Sequence, residues 1–104
     1  MSIEEVAVFA RVAMYEVPAE SISDAAERFQ RAIDQIRTMT GFAGAHLLVS
    51  TDSGRVLTMT LWESRAEMEA SRVMASRLRS EAVGALGGSV VNADEYEVAA
   101  QETG

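Results

Sequence analysis

The side chains able to do chemistry are few. The chain has no Cys and one His, which excludes disulfides and thiolate chemistry and leaves no multi-histidine metal site within one chain. What remains is His46, the single Trp at position 62, hydroxyls at Thr58 and Thr60, and Arg11 inside an apolar run. An imidazole can act as a base near neutral pH. Hydroxyl and indole donors can stabilise a developing oxyanion, and a guanidinium can hold an anion. His46 and Trp62 are therefore the candidate catalytic residues, and no metal or cofactor motif accompanies them.

Spacing suggests how these groups meet. Phe42 to Ser50 and Arg55 to Trp62 both read as strands, and Asp52-Ser53-Gly54 suits a three-residue hairpin with glycine in the left-handed position. Pairing Thr51 with Arg55 puts His46 opposite Thr60 and Gly44 opposite Trp62, so one face gathers an imidazole, two hydroxyls and an indole. A helix carrying Met68, Ser71 and Ala75 would cover that face with mostly small side chains, leaving a partly polar cavity. Thr58, Thr60, Met68, Ser71 and Arg11 are then the candidate substrate-binding residues, with Met14 and Met74 as further adaptable lining. Each has a plainer reading: His46 as a hydrogen-bonded core group, Trp62 as packing with a locally satisfied N–H, the methionines as core, and Arg11 as one half of an ion pair at the rim.

The elements that position these residues follow from periodicity. Val6 to Val17 is β-rich and stops at Pro18. Ser21 with Asp24 resembles a capping box, and Ile22, Ala25, Phe29, Ala32, Ile33 and Ile36, with Ala26, form one helical face. The opposite face carries Asp24/Arg28 and Glu27/Arg31 as i,i+4 pairs. Gly41 fits a helix end. Ser64 with Glu67 opens a second helix, whose inner face is Met68, Ser71, Ala75, Leu78, Ala82 and Leu86. Gly87-Gly88 closes it, and Ser89 to Val98 is the last strand. The tail from residue 100 onward is polar and expected to be loose.

The order β-α-β-β-α-β is a ferredoxin-like α+β plan with a four-stranded antiparallel sheet, in one domain over residues 1–104. Both helices should cover one sheet face. Ala45, Leu47 and Val49 with Leu57, Met59 and Leu61 would make the other face apolar as well, and a second copy of the chain is the simplest cover for it. A homodimer through that face is expected.

Composition narrows the function classes. With 104 residues and 48% hydrophobic content the chain can build one core. Its 9 basic and 16 acidic residues give a formal charge of −7, which disfavours nucleic acid and anionic membranes as partners. The start, Met1-Ser-Ile-Glu-Glu, shows no signal-peptide pattern, and a cytoplasmic location is expected.

Gly41-Phe42-x-Gly44 on the second strand, followed by Leu61-Trp62-Glu63-Ser64 entering the second helix, resembles the antibiotic biosynthesis monooxygenase family, and the likeness runs along nearly the whole chain. The resemblance implies a dimeric α/β barrel. In the family's cofactor-free members it also implies a polycyclic phenol or anthrone bound between sheet and helices. Deprotonation makes such a substrate electron-rich enough to reduce O₂ directly, with no flavin or metal. Trp62 occupies the family's Trp position. The family's Asn four residues earlier is Thr58 here, its strand-two His is Leu48 and its helix Tyr is Met68, while His46 lies one pleat from Leu48 and is the substitute base. The haem-degrading branch would need a Trp near Ser71 and a His near Glu81; neither is present, and haem cleavage is not expected. Three functions remain open: a cofactor-independent oxygenase of aromatic substrates, a non-catalytic dimer that binds a small hydrophobic or aromatic ligand, and a proton-transfer enzyme using His46.

Overall fold

A computed structural model describes residues 8–50 and 52–102. The elements are β1 (Phe9–Glu16), α1 (Ile22–Ile36), β2 (Phe42–Val49), β3 (Arg55–Trp62), α2 (Arg65–Ala70), α3 (Arg72–Ala85) and β4 (Ser89–Glu97), with a 3-10 turn at Ala19–Ser21 before α1. The strands form one antiparallel sheet in the order β2-β3-β1-β4. This is the ferredoxin-like α+β arrangement; the sheet is open rather than closed into a barrel. The expected first two residues of the opening strand, Val6 and Ala7, and the final two of the tail, lie outside the described residues. Residues 98–102 follow β4 with no helix or strand. Among the described residues no helix is long and apolar enough to cross a membrane.

The helices bury part of the stripes that periodicity assigns them: Ala26 of the expected α1 face is exposed, and Val83, outside the expected second stripe, is buried. Ala25 and Ile36 of α1 are buried, as are Met68, Ala75, Leu78 and Val83 of α2 and α3. The two helix starts differ. Ser64 Oγ accepts from the Glu67 amide at 3.1 Å and completes the expected cap. Ser21 makes no cap; its hydroxyl instead donates to the Leu86 carbonyl at 2.8 Å, tying the start of α1 to the end of α3.

The expected second helix is two helices, broken at Ser71. The Met68 carbonyl there accepts from Arg11 Nη2 at 2.8 Å and from the Ser71 hydroxyl at 2.6 Å. A cation set against the carbonyl end of α2 satisfies groups the helix would otherwise leave open, and a side chain inserted at a carbonyl is a recognised cause of a kink.

The hairpin corrects the expected register. The Ser50 amide donates to the Arg55 carbonyl at 2.9 Å, and Val49 pairs with Val56, one residue out of the expected register; Thr51, expected opposite Arg55, lies outside the described residues. Gly54 takes φ +73 there, the left-handed conformation expected of it. A shift of one residue turns a strand over. His46 therefore pairs with Met59, not Thr60, while Ala45 pairs with Thr60 and Leu47 with Thr58. Ala45, Leu47 and Val49 face the helices. The outer face carries His46 and Leu48 of β2, Leu57, Met59 and Leu61 of β3, and Val12 and Met14 of β1, paired in rows across the sheet. Over these three strands it is apolar with the imidazole set into it, but its β2 row is His46 and Leu48 in place of the expected Ala45, Leu47 and Val49, and β4 adds Asn92, Asp94 and Tyr96 beside Met14, Val12 and Ala10.

Candidate functional site

The core divides into two clusters. One gathers Tyr15, Val17, Val56, Val83 and Leu86; the other gathers Ile36, Trp62, Met68, Ala75 and Leu78. Between them, under α1 and α3, lies a cavity of about 70 Å³. Small side chains from every side create it: Ala13 on β1, Ala25 and Ala32 on α1, Ala75 and Ala82 on α3. Phe29 and Leu47 add bulk to an otherwise aliphatic wall. By the same measure a water molecule needs roughly 10–15 Å³, so the space holds a few waters and must widen by side-chain movement to take a ring system.

The polar groups on this wall come from alternate positions of two adjacent strands and from two helices. Tyr15 on β1 and Thr58 on β3 form a dyad, Oη to Oγ1 2.7 Å. Burial raises the Tyr15 pKa above its ordinary value; the bond to Thr58 and the nearby Arg79 guanidinium act the other way. Thr60 lines the cavity and accepts from Trp62 Nε1 at 3.0 Å. Arg28 of α1 and Arg79 of α3 complete the set, both half-buried.

Trp62 itself is fully enclosed. Its ring meets Phe42 edge-on with centroids 5.7 Å apart, and it reaches the cavity only through the Thr60 hydroxyl. Met68 and Ser71 are likewise fully buried and stand outside the cavity wall. Ser71 Oγ accepts from Arg11 Nη1 at 3.0 Å.

Arg11 lines one end of the cavity, but its donors are already engaged: Ser71, the Met68 carbonyl, and Glu95 Oε2 at 2.9 Å. Burial lowers its pKa, opposed by Glu95. Glu95 also accepts from Arg72 Nε at 3.0 Å; the bonds from Arg72 and then Arg11 pull its pKa down to about 2. Arg11 is thus a bolt joining β1, the α2–α3 break and β4, the ion-pair alternative raised for it.

Of the seven residues singled out from sequence, the structure brings Thr58, Thr60 and Arg11 to the cavity. Trp62, Met68 and Ser71 support it from behind. His46 does not join them: the shifted register places it on the opposite sheet face, exposed, beside Met59. Tyr15, Arg28 and Arg79 were missed, though the pattern held a signal for each. Tyr15 shares strand alternation with Arg11 and Ala13, Arg28 lies four residues before Ala32, and Arg79 four after Ala75.

Comparison with known proteins agrees with this architecture. An uncharacterised Mycobacterium tuberculosis protein, Rv2557, is 29% identical over 90 residues, 86% of this chain and 40% of that protein; the chain spans well under half the length of this curated relative. Among solved structures, a protein of unknown function from Nitrosomonas europaea, NE2512, superposes with a TM-score of 0.72 at 16% identity over 97% of this chain and 98% of the other. The monooxygenase ActVA-Orf6 of Streptomyces coelicolor, solved with nanaomycin D, gives 0.70 at 19% identity over 97% and 96%. SnoaB, a cofactor-independent oxygenase of Streptomyces nogalater, gives 0.67 at 16% over 93% and 96%. These distant likenesses establish a shared fold. The sequence profile of the antibiotic biosynthesis monooxygenase family matches residues 8–82, and the chain belongs to that family.

Proposed function

We propose that the chain is a cofactor-independent monooxygenase that oxidises an aromatic, polyketide-like substrate in the cavity between sheet and helices. The observation that carries this reading is the cavity itself, an apolar enclosure with the Tyr15–Thr58 dyad and the Thr60 hydroxyl on its sheet side. Two structural neighbours, ActVA-Orf6 and SnoaB, bear the names of oxygenases. In the reaction an anthrone-type CH₂ becomes a carbonyl: the ionised substrate gives electrons to O₂, one oxygen atom remains in the quinone and the other leaves as water. The residues supply an apolar surround for the ring and hydroxyl donors for its oxygen. Thr60, fixed by the Trp62 N–H, is the donor whose orientation is best defined.

The test is O₂ uptake and product formation by chelator-treated protein with a panel of anthrones and hydroquinones. Uptake well above buffer, lost on filling the cavity with Ala75→Phe, is the expected result. Uptake equal to buffer across the panel would overturn the reading.

A second reading, a protein that binds aromatic ligands without turnover, is favoured by one observation. Among the described residues neither an imidazole nor a carboxylate lines the cavity. Binding without product in the same assay selects it. The proton-transfer reading required His46 as base, and His46 stands on the other face of the sheet.

We also propose that the outer face pairs with a second copy. Its support is the run of apolar side chains there, including Leu48 at 51% exposure, an uncommon burden for a monomer's surface. In that reading His46 belongs to the dimer contact.

A further inference from the structure

All nine basic residues of this acidic chain are arginines, and their partners divide them sharply. Arg11, Arg31, Arg37, Arg55, Arg72 and Arg77 each have a carboxylate within 4.0 Å. Arg65 lies over the Phe9 ring at 4.9 Å. Only Arg28 and Arg79 have neither kind of partner among the described residues, and both line the cavity. The i,i+4 pairing of Arg28 with Asp24 that the spacing suggests is not made, although the Glu27/Arg31 pair beside it is.

The two guanidiniums come from different helices, α1 and α3, which both cover the same cavity. The charged and titratable groups on the wall are then Arg11 and Tyr15 from β1, Arg28 from α1 and Arg79 from α3; β3 contributes Thr58 and Thr60, and β2 only Leu47. Glu95 faces Arg11 and is shared with Arg72. A half-buried cation beside an apolar cavity loses part of its hydration, and among the described residues no carboxylate lies within 4.0 Å of Arg28 or Arg79; Arg79 bonds the Tyr15 hydroxyl and shares a neighbouring groove with Asp94 and Glu95, the latter already held by Arg11 and Arg72. A bound anion would compensate both.

We propose that the cavity takes its ligand as an aromatic monoanion, a phenolate, with Arg28 and Arg79 as its counter-charges, and that their field rather than a protein base ionises the ligand. The phenol proton passes to solvent water and the oxyanion stays between the two guanidiniums, with the rings on the alanine-lined wall. The proposal deepens the oxygenase reading and rests on its cavity. It accounts for a cavity with no base, because an ionised substrate needs none before it meets O₂. Opposite-charge contacts favour the ionised form and burial opposes it, so the sign of the ligand's own pKa change on binding decides the matter.

The experiment uses a nitronaphthol, whose phenol and phenolate differ in visible absorption and which O₂ does not oxidise. Its titration is followed free and with saturating full-length protein. We expect the bound pKa to fall by at least one unit, a tenfold preference for the anion. Arg79→Gln and Arg28→Gln should each remove a large part of the shift and the pair of them all of it, Arg79→Lys should retain most of it, and Arg77→Gln, at an exposed pair, should leave it intact. Circular dichroism confirms that each variant is folded. A bound pKa equal to or above that of the free probe overturns the proposal, as does absence of binding, or a shift untouched by both Gln variants. Because the probe is not oxidised, the outcome is independent of turnover. O₂ uptake with an unshifted probe removes this proposal alone; a shifted probe without O₂ uptake on the anthrone panel removes only the oxygenase.

Discussion

Tyr15 and Thr58 meet hydroxyl to hydroxyl at 2.7 Å in the sheet-side wall of the cavity. Neither is an immediate cross-strand neighbour of the other: Tyr15 pairs with Val56 and Thr58 with Ala13. The bond is a diagonal, and it leaves one hydroxyl hydrogen for a ligand. A buried neutral hydrogen bond contributes about 1 kcal/mol, within a range of roughly 0.5–1.5. Tyr15→Phe and Thr58→Val should each destabilise by about that amount in urea unfolding. The double variant should lose less than the sum, with a coupling of about 1 kcal/mol. Strict additivity would show that the two hydroxyls act independently.

Glu95 gives the fold a defined acid sensitivity. Its carboxylate is held down at about 2 by Arg72 first and by Arg11. A carboxylate whose pKa is lower folded than unfolded stabilises fully above its unfolded value, near 4.5, and loses that contribution as pH falls toward 2. Glu95 is partly solvated and Arg72 is exposed, which reduces the contribution to about 1–3 kcal/mol after screening. Glu95→Gln should therefore be clearly less stable than the parent above about pH 5, with Arg11 left buried without its counter-charge. The two proteins should converge as the parent's own Glu95 protonates. Denaturant midpoints between about pH 2 and 7 check this, and a constant gap across the range would contradict it.

Glycines in the hairpin and in α3 should respond in opposite directions to the same substitution. Gly54 has φ +73, and a Cβ there would lie 2.5 Å from the Val17 carbonyl oxygen, whose residue donates its own amide to the Gly54 carbonyl at 2.9 Å. Gly54→Ala should cost about 1–3 kcal/mol through strain and displacement of that bond. Gly84 lies inside α3, and a Cβ added to it would meet nothing within 4 Å. Gly84→Ala should stabilise by about 0.5–1 kcal/mol, because alanine loses less backbone freedom in a helix. Thermal melts of the two variants should move apart on either side of the parent.

The architecture was legible because its signals are local. Apolar spacing placed most of both inner helix faces, missing Val83 and wrongly including Ala26; Ser64 and Glu67 marked a helix start, and Leu61-Trp62-Glu63-Ser64 carried the family. The site was less legible because it depends on a register that one residue decides. Asp52-Ser53-Gly54 fits registers one residue apart equally well, yet the choice moves His46 from the helix face to the outer face and brings Leu47 in. Arg11 was ambiguous for another reason: its acid, Glu95, lies 84 positions away, and spacing says nothing of such a contact. Ser21 likewise bonds Leu86 across the fold instead of its own helix. Arg28 reads as a partner of Asp24 on the face opposite the apolar stripe, and that it lacks this pair is seen only in three dimensions.

The sheet separates the proposed dimer contact from the cavity, so each can be tested without disturbing the other. Met59 sits at the middle of that face, paired with Val12 on one side and His46 on the other, and its neighbours in β3, Leu57 and Leu61, continue the apolar row. A carboxylate at position 59 would have to be desolvated against a second apolar sheet with no arginine among these rows and only the His46 imidazole beside it, a penalty of several kcal/mol in a contact surface. In a monomer the same side chain would be wetted and cost little. Met59→Glu should therefore convert a parent of two-chain mass into a folded single chain in sedimentation at micromolar concentration, with the nitronaphthol pKa shift retained, since the cavity lies on the other side of the sheet. His46→Ala, at the edge strand, should weaken the association modestly and leave the probe unaffected. A parent that sediments at the mass of one chain would refute the dimer, and loss of the probe's pKa shift in folded Met59→Glu would show that the two faces are coupled.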